Sequence, residues 1–149
     1  MKQIIQSLHS GKIEVIDVPC PQLKSDSLLI ETHCSLISSG TERMLLEFGR
    51  ASLLGKIKQQ PDKVKEVFTK IKTDGLLNTL DAVKAKLDQP IALGYCNVGH
   101  VIKTNVNGFK IGDRVVSNGN HAEAVVVGKN LCVKIPDSVS DEEAVFTVL

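Results

Sequence analysis

The spacing of hydrophobic and polar positions changes twice along the chain. Up to about Ser39 the apolar residues form short β-branched runs, a pattern that predicts strands. From Thr41 to about Gln89 they recur every three to four residues, as on one face of a helix. Short β-branched runs then return, and a final helical segment begins near Ser140. The predicted order is therefore strands, a helical insertion at about 41–89, strands again and a C-terminal helix.

The N-terminal strand zone divides into a hairpin and one longer strand. Ser10 and Gly11 separate two β-rich runs and are typical of a hairpin turn. Pairing is expected to stop at Pro19 and Pro21, because proline has no backbone N–H to donate. In the longer strand alternate positions share one face. That face is predicted to comprise Leu28, Ile30, Thr32 and Cys34.

The insertion at about 41–89 is predicted to contain three helices. The first covers about 43–59, where Gly49 and Gly55 weaken the helical pattern. The second begins at Pro61, since proline is favoured at the first helical position. Its apolar stripe comprises Val64, Val67, Phe68 and Ile71.

Gly75 is expected near the end of the second helix, and the third helix of the insertion has Thr73 or Asp74 as its candidate cap. Its apolar stripe comprises Leu77, Leu80, Val83 and Leu87. The lysines of the insertion are expected to form a solvated face, with a docking surface for an acidic partner as the alternative. They are Lys56, Lys58, Lys63, Lys65, Lys70, Lys72, Lys84 and Lys86.

The last strand zone is rich in turn signals, which fits a small barrel or a curled sheet. The turns are predicted at Asn107–Gly108, Gly112–Asp113, Asn118–Gly119 and Gly128. Ser140 and Glu143 then form a capping box, so a helix is expected to start there. An apolar run continues from it to Leu149, which suggests that a further segment follows in a longer protein.

Composition narrows the classes of function. The 149 residues suffice for one ordinary domain. A net charge of +1 gives no electrostatic footprint for nucleic acid or an anionic membrane surface. With no Trp, one Tyr and four Phe, the chain offers little for stacking bases.

Cysteine usage and the N-terminus indicate a cytoplasmic protein. Four widely spaced cysteines, with no C-x-x-C pair, are interpreted as reduced thiols that fill small apolar spaces. They are Cys20, Cys34, Cys96 and Cys132. A signal peptide and an apolar stretch long enough to cross a bilayer are both lacking in the sequence.

Four stretches together resemble the N-terminal domain of the medium-chain dehydrogenase/reductase family, the zinc-type alcohol dehydrogenase-like enzymes. They are LLIETHCSLISSGTE at 28–42, LGYCNVGHV at 93–101, GFKIGDRVV at 108–116 and HAEAVVVGKNLCVKIPDSVSDEEAV at 121–145. More narrowly, GYCNVG with SSGTERMLLEFG is similar to bacterial bi-domain oxidoreductases of polysaccharide gene clusters.

The resemblance implies an α+β, mainly β fold. It predicts a GroES-like, partly open barrel spanning 1–149, with the helical insertion within it. The C-terminal helix would lead to a Rossmann domain that this chain does not contain. The nucleotide motif G-x-G-x-x-G is indeed missing from the sequence, so the cofactor site is expected to lie in that domain.

In the family's zinc enzymes a cysteine precedes G-[ST]-[DE], and a histidine and a glutamate follow the glycine of G-H-E. Ser39 occupies the cysteine position here, Tyr95 the histidine position and Cys96 the glutamate position. Zinc prefers thiolate and imidazole ligands, so no metal is predicted. A repurposed site of Cys96, His121 and Glu42 is the alternative.

By the same resemblance, the residues lining the family's cleft are the candidate site residues. The candidate catalytic residues, which handle the proton or polarise a carbonyl in place of zinc, are Ser39, Thr41 and Tyr95. The candidate substrate-binding residues are Glu42, Cys96 and His121. Packing alone is the alternative role for Cys96 and His121.

The function expected from these residues is the substrate-side part of a zinc-independent oxidoreductase that uses NAD or NADP. Its substrate would be a small molecule, a sugar or sugar-nucleotide by resemblance, and the fragment alone would be inactive. A homodimer through the apolar C-terminal helix is a further expectation. The alternative is a free-standing GroES-like module that binds without catalysis.

Overall fold

The computed structural model describes residues 1–148, with the side chains of all of these except residues 53 and 54. Within this part of the chain the strands and helices follow the order that the sequence pattern predicts. The strands are β1 (Lys2–Ser7), β2 (Ile13–Asp17), β3 (Ser27–Ser35), β4 (Pro90–Ala92), β5 (Asn97–Thr104), β6 (Arg114–Ser117), β7 (Ala124–Gly128) and β8 (Cys132–Lys134). The α-helices are α1 (Thr41–Arg50), α2 (Leu53–Gln59), α3 (Pro61–Asp74), α4 (Leu76–Asp88) and α5 (Asp141–Ala144).

The strands form two open sheets. One has three strands in the order β2-β1-β4, and the other has five in the order β7-β3-β5-β6-β8. All pairs described in the larger sheet are antiparallel. The predicted fold class is confirmed, and the four helices of the insertion bring the chain to 36% helix against 30% strand.

The chain folds into two compact units. The sheet unit comprises Met1–Ile4, Val15–Ser38 and Ala92–Leu149, and the helical unit comprises Ile5–Glu14 and Ser39–Ile91. The helical insertion predicted at about 41–89 accounts for most of the second unit.

The core of the sheet unit consists of two apolar clusters. The first comprises Leu28, Ile30, Val101, Val115, Val125 and Val127. The second comprises Cys96, Val98, Val116, Ile135, Ala144 and Val145. The four cysteines are free thiols, and burial raises the pKa of Cys132 to about 11.

A bulge in β3 divides the face that the sequence predicted to be continuous. Thr32 pairs with Gly99 and Cys34 with Val98, so two steps along β3 match one step along β5. An extra residue of this kind shifts the side chains that follow it relative to the sheet. Cys34 therefore packs against the second cluster, whereas Leu28 lies in the first.

The helical unit differs from the prediction at two helix ends. The helix expected over about 43–59 is broken, because Ser52 caps a new helix by accepting a hydrogen bond from the N–H of Gly55 at 3.2 Å. The predicted cap at Thr73 or Asp74 is wrong, since α3 continues to Asp74. Gly75, with φ of +83°, separates α3 from α4.

Most of the insertion's lysines are exposed, as predicted, but Lys56 is buried. Its Nζ donates to the carbonyl of His9 at 3.0 Å and lies 5.9 Å from the centre of the Phe48 ring. The aliphatic part of a lysine can be buried when its charged end has such partners.

The C-terminal helix begins as predicted. The Ser140 hydroxyl accepts from the N–H of Glu143, and the Glu143 carboxylate accepts from the N–H of Ser140. The helix passes into a 3₁₀ turn at Val145–Val148, and Leu149 lies outside the described residues. Among the described helices, none has the length and apolar character to cross a membrane.

Candidate functional site

The six candidate site residues fall into two groups. Ser39, Thr41 and Glu42 belong to the helical unit. Tyr95, Cys96 and His121 belong to the sheet unit.

The helical-unit group lies at the start of α1. Ser39 is exposed in the turn before the helix, and Thr41 is its exposed first residue. Glu42, in the first turn, is only 9% exposed. A carboxylate in the first helical turn is favoured by the partial positive charge of the helix N-terminus. Two exposed residues that carry hydroxyl groups therefore precede a buried glutamate at the start of α1.

The N-terminal hairpin fixes the position of α1. The Gln6 side chain is fully buried, and its Nε2 donates to the carbonyl of Leu45 at 2.9 Å. Gly49 permits this approach, because a Cβ there would lie 2.5 Å from Gln6 Nε2. Residues far apart in sequence therefore position the helix that begins with Thr41.

The sheet-unit group is built around the Gly94 segment (residues 93–96), which joins β4 to β5. Gly94 has φ of +93°, a conformation open to glycine but strained for other residues. A Cβ at this position would lie 2.6 Å from the backbone nitrogen of His121 and 2.7 Å from its ring Cγ. The Gly94 segment, which includes Tyr95 and Cys96, therefore packs directly on His121.

His121 is held by both its backbone and its side chain. Its N–H donates to the carbonyl of Leu93 at 2.8 Å, and its carbonyl accepts from the N–H of Ile4 at 2.9 Å. Its Nδ1 forms a 2.8 Å hydrogen bond with the hydroxyl of Ser35. With 5% of the residue exposed, His121 is a buried and fixed side chain.

Tyr95 and Cys96 have different surroundings. Cys96 is fully buried and belongs to the second apolar cluster, where a small thiol fits as an apolar side chain. Tyr95 is half-buried and packs against the same cluster. Cys96 thus has the surroundings of a packed core residue, whereas Tyr95 retains exposed surface.

A row of polar side chains crosses the sheet beside this group. Ser35 pairs with Asn97, and Asn97 pairs with Ser117 on the next strand. The Nδ2 of Asn97 donates to the hydroxyl of Thr32 at 2.8 Å. Within the described residues, Asn97 Oδ1 and Ser117 Oγ are buried without a hydrogen-bond partner. Buried polar atoms of this kind are commonly satisfied by water.

The alternative metal site of Cys96, His121 and Glu42 gains no support. Among residues 1–148, no group of three or more His, Cys, Asp or Glu side chains is arranged to hold a metal ion. The donor types at the positions matched to the zinc ligands are also unfavourable, since a serine hydroxyl and a phenol replace a thiolate and an imidazole.

One cluster of ionisable side chains was missed by the sequence analysis. The buried carboxylate of Asp141 accepts from the guanidinium of Arg114 at 2.6 Å and also contacts Nδ1 of His33. The hydrogen bonds from Arg114 hold the pKa of Asp141 below its ordinary value. His33 is the extra residue of the β3 bulge. It lies far from Asp141 in the sequence, so no local pattern signals their contact.

The architecture defines the fold of the chain. Its open sheets and its C-terminal capped helix match the fold of the GroES-like N-terminal domain of medium-chain dehydrogenases/reductases. Neither a family model nor a curated protein matches the sequence. The match is one of structure, and it confirms the predicted resemblance at the level of the fold.

Three solved structures illustrate the similarity. The quinone oxidoreductase from Coxiella burnetii has a TM-score of 0.63 at 20% identity, covering 97% of this chain and 40% of that one. Galactitol-1-phosphate dehydrogenase from Escherichia coli has a TM-score of 0.64 at 14% identity, with coverages of 98% and 41%. The quinone oxidoreductase from Thermus thermophilus, solved also with NADPH, has a TM-score of 0.58 at 19% identity, covering 97% of this chain and 36% of that one. This chain thus spans about two fifths of the length of these enzymes.

Proposed function

We propose that this chain is the substrate-side domain of a zinc-independent, NAD(P)-dependent oxidoreductase. The observation that carries the proposal is the structural match, in which nearly the whole chain corresponds to about 40% of dehydrogenases and reductases. The remaining part of such enzymes would be the Rossmann domain that holds the nicotinamide cofactor. When bound, the cofactor would give or take the hydride, and this chain would supply substrate contacts and proton handling.

Hydroxyl groups would replace the metal in this site. A carbonyl that accepts hydride develops negative charge on oxygen, which hydrogen-bond donors can stabilise. Tyr95, in the Gly94 segment, offers a phenolic hydroxyl, and Thr41 offers a hydroxyl at the start of α1. Ser39 lies two residues before Thr41, so a proton could pass to solvent through either hydroxyl.

Zinc independence rests on the chemistry of the donor set. Ser39 and Tyr95 are neutral oxygen donors at the positions matched to a cysteine and a histidine. Cys96, the nearest thiol to Tyr95 in the sequence, is enclosed by apolar side chains.

The proposed substrate is a sugar or sugar-nucleotide that carries an alcohol or carbonyl group. Support comes from the bi-domain enzymes of polysaccharide gene clusters that the sequence resembles. The name of one structural neighbour, galactitol-1-phosphate dehydrogenase, points to the same class of compound.

Nicotinamide binding tests the proposal. The protein encoded by the complete reading frame should bind NADPH or NADH in a fluorescence titration, with a dissociation constant in the micromolar range, about −8 kcal/mol. The 149-residue chain alone should bind neither dinucleotide. A complete protein that binds neither would contradict the proposal and favour a non-catalytic GroES-like binding module.

Conservative variants test the hydroxyl groups in the same protein. Tyr95→Phe keeps the ring that packs on the second cluster and removes only the phenolic oxygen. We expect it to lower kcat by about 10²-fold with NAD(P)H and a panel of sugar-nucleotides. Thr41→Ala should also lower kcat, and Thr41→Ser should restore it. Unchanged kcat in both Tyr95→Phe and Thr41→Ala would remove these residues from the mechanism.

A further inference from the structure

His121 and Ser35 make a contact that links two separate parts of the sheet unit. Ser35 is the last residue of β3, and His121 precedes β7. The 2.8 Å bond between Ser35 Oγ and Nδ1 fixes one side of the imidazole. A second constraint comes from Gly94, where a Cβ would lie 2.7 Å from the ring Cγ and 2.8 Å from Cδ2.

The contact bears directly on Tyr95. The residue after Gly94 is Tyr95, and Gly94 packs against the His121 ring. At the other end of the Gly94 segment, the carbonyl of Cys96 accepts from the N–H of Leu36, one residue after Ser35. The segment is therefore linked to the end of β3 directly at Cys96 and, at Gly94, through the His121–Ser35 bond.

We propose that His121 is a positioning residue that acts with Ser35 to hold the Gly94 segment and so orient the Tyr95 hydroxyl. This assignment rests on the proposed function only in giving Tyr95 its catalytic role. It replaces the substrate contact expected for His121 from the resemblance, because a side chain 5% exposed and bonded to Ser35 is suited to support its neighbours.

Removing the imidazole would leave a space beside Gly94. Surroundings relax only partly into such a space, and glycine has unusual backbone freedom, so the Gly94 segment would sample other conformations. Small displacements of a catalytic group lower rates steeply, by as much as about 10²-fold for roughly 1 Å. The Ser35 hydroxyl acts through the same ring, so its loss should have an effect of the same kind.

A spectroscopic signal of Tyr95 reports on the Gly94 segment. Tyr95 is its one tyrosine, and the sequence contains no tryptophan. Tyrosine circular dichroism in the near ultraviolet depends on a fixed asymmetric environment. The signal of the 149-residue chain therefore reports on Tyr95 alone and requires no enzymatic activity.

The test compares variants of His121 and Ser35 by this signal, with far-ultraviolet dichroism as the measure of folding. We expect Ser35→Ala, which deletes one oxygen, and His121→Ala to lose most of the tyrosine ellipticity while staying folded. His121→Asn, whose amide can replace Nδ1 in the bond to Ser35, should retain it. His121→Gln, which places its amide nearer the Nε2 position, should not.

His100→Ala is the matched control, because His100 is an exposed histidine of the same unit. It should leave the tyrosine signal unchanged. If His121→Ala prevents folding, Ser35→Ala decides the question. A folded Ser35→Ala chain with an unchanged tyrosine signal would overturn the proposal.

Kinetics of the complete enzyme separate positioning from proton transfer. Under the proposal His121→Asn keeps kcat and the shape of the pH–rate profile, whereas His121→Ala lowers kcat with little change in KM. Loss of one limb of the profile in His121→Asn would show that His121 transfers a proton and would overturn the positioning role. An enzyme without oxidoreductase activity whose variants still alter the tyrosine signal would refute the proposed function alone.

Discussion

Two glycines with nearly the same backbone angle separate the contribution of backbone strain from that of close packing. Gly94 has φ of +93° and Gly108 has φ of +92°. A Cβ at Gly94 would meet His121, whereas one at Gly108 would have no atom within 4 Å. Alanine would therefore have the same conformational cost at both positions. Only at Gly94 would it also have a steric cost, from the contact with His121.

Gly108→Ala should lower the free energy of unfolding by about 1 kcal/mol, the cost of a positive φ for alanine. Gly94→Ala should lower it by about 3 kcal/mol or more, because the contact is with backbone that cannot move aside. Urea denaturation followed by far-ultraviolet dichroism measures both. Equal losses of unfolding free energy in the two variants would mean that the Gly94 segment is not packed on His121.

The Asp141 carboxylate should make the stability of the sheet unit sensitive to acid. Its pKa is lowered in the folded state, chiefly by hydrogen bonds from Arg114. A group with a lowered pKa stabilises the fold above its unfolded pKa, near about 3.9 for aspartate, and this contribution disappears as the pH falls through the folded value.

Asp141→Asn should therefore destabilise the chain at neutral pH by about 2 kcal/mol, since it removes a charge-assisted pair. The destabilisation should shrink as the pH falls below the ordinary aspartate pKa of about 3.9. Thermal unfolding at several pH values checks this difference. Some acid sensitivity should remain in the variant, because hydrogen bonds also lower the pKa of Asp113 and Glu143. An equal destabilisation at all pH values would contradict the assignment.

At the scale of elements, local sequence signals located the strands and helices better than their interruptions. The Ser10–Gly11 hairpin, the start of α3 at Pro61 and the capping box at Ser140 all depend on residues close in sequence, and all are confirmed. The break at Ser52 and the bulge in β3 were not predicted. Both depend on what the flanking segments pack against, which periodicity does not contain.

Lys56 shows the same limit for a side chain. Its spacing among seven other lysines predicts a solvated position, but α1 and the N-terminal hairpin enclose it. Lys56→Ala should lower the unfolding free energy by about 1–2 kcal/mol, through loss of the bond to His9 and of the contact with Phe48. Lys58→Ala, at an exposed position of the same helix, should change it by less than about 0.5 kcal/mol. Thermal denaturation of the two variants compares them, and similar small effects would place Lys56 in solvent.

At the scale of the whole molecule, metal content provides a test of the proposed chemistry. The complete enzyme, purified and dialysed, should contain well under one zinc per chain by elemental analysis. Chelators should leave its hydride transfer unchanged, because the positions matched to zinc ligands carry Ser39, Tyr95 and Cys96. Stoichiometric zinc together with chelator-sensitive activity would contradict a hydroxyl-based site.

The sequence by itself determined the order of elements, the helical insertion and the resemblance to a dehydrogenase N-terminal domain. These features depend on local periodicity, turn residues and short motifs, each complete within a few neighbouring positions. It also supplied the replacements at Ser39, Tyr95 and Cys96. Only the tertiary structure decided that Cys96 is buried in an apolar cluster and that Gly94 rests on His121. The separation of 86 positions between Ser35 and His121 explains why, since their hydrogen bond forms only when distant strands meet.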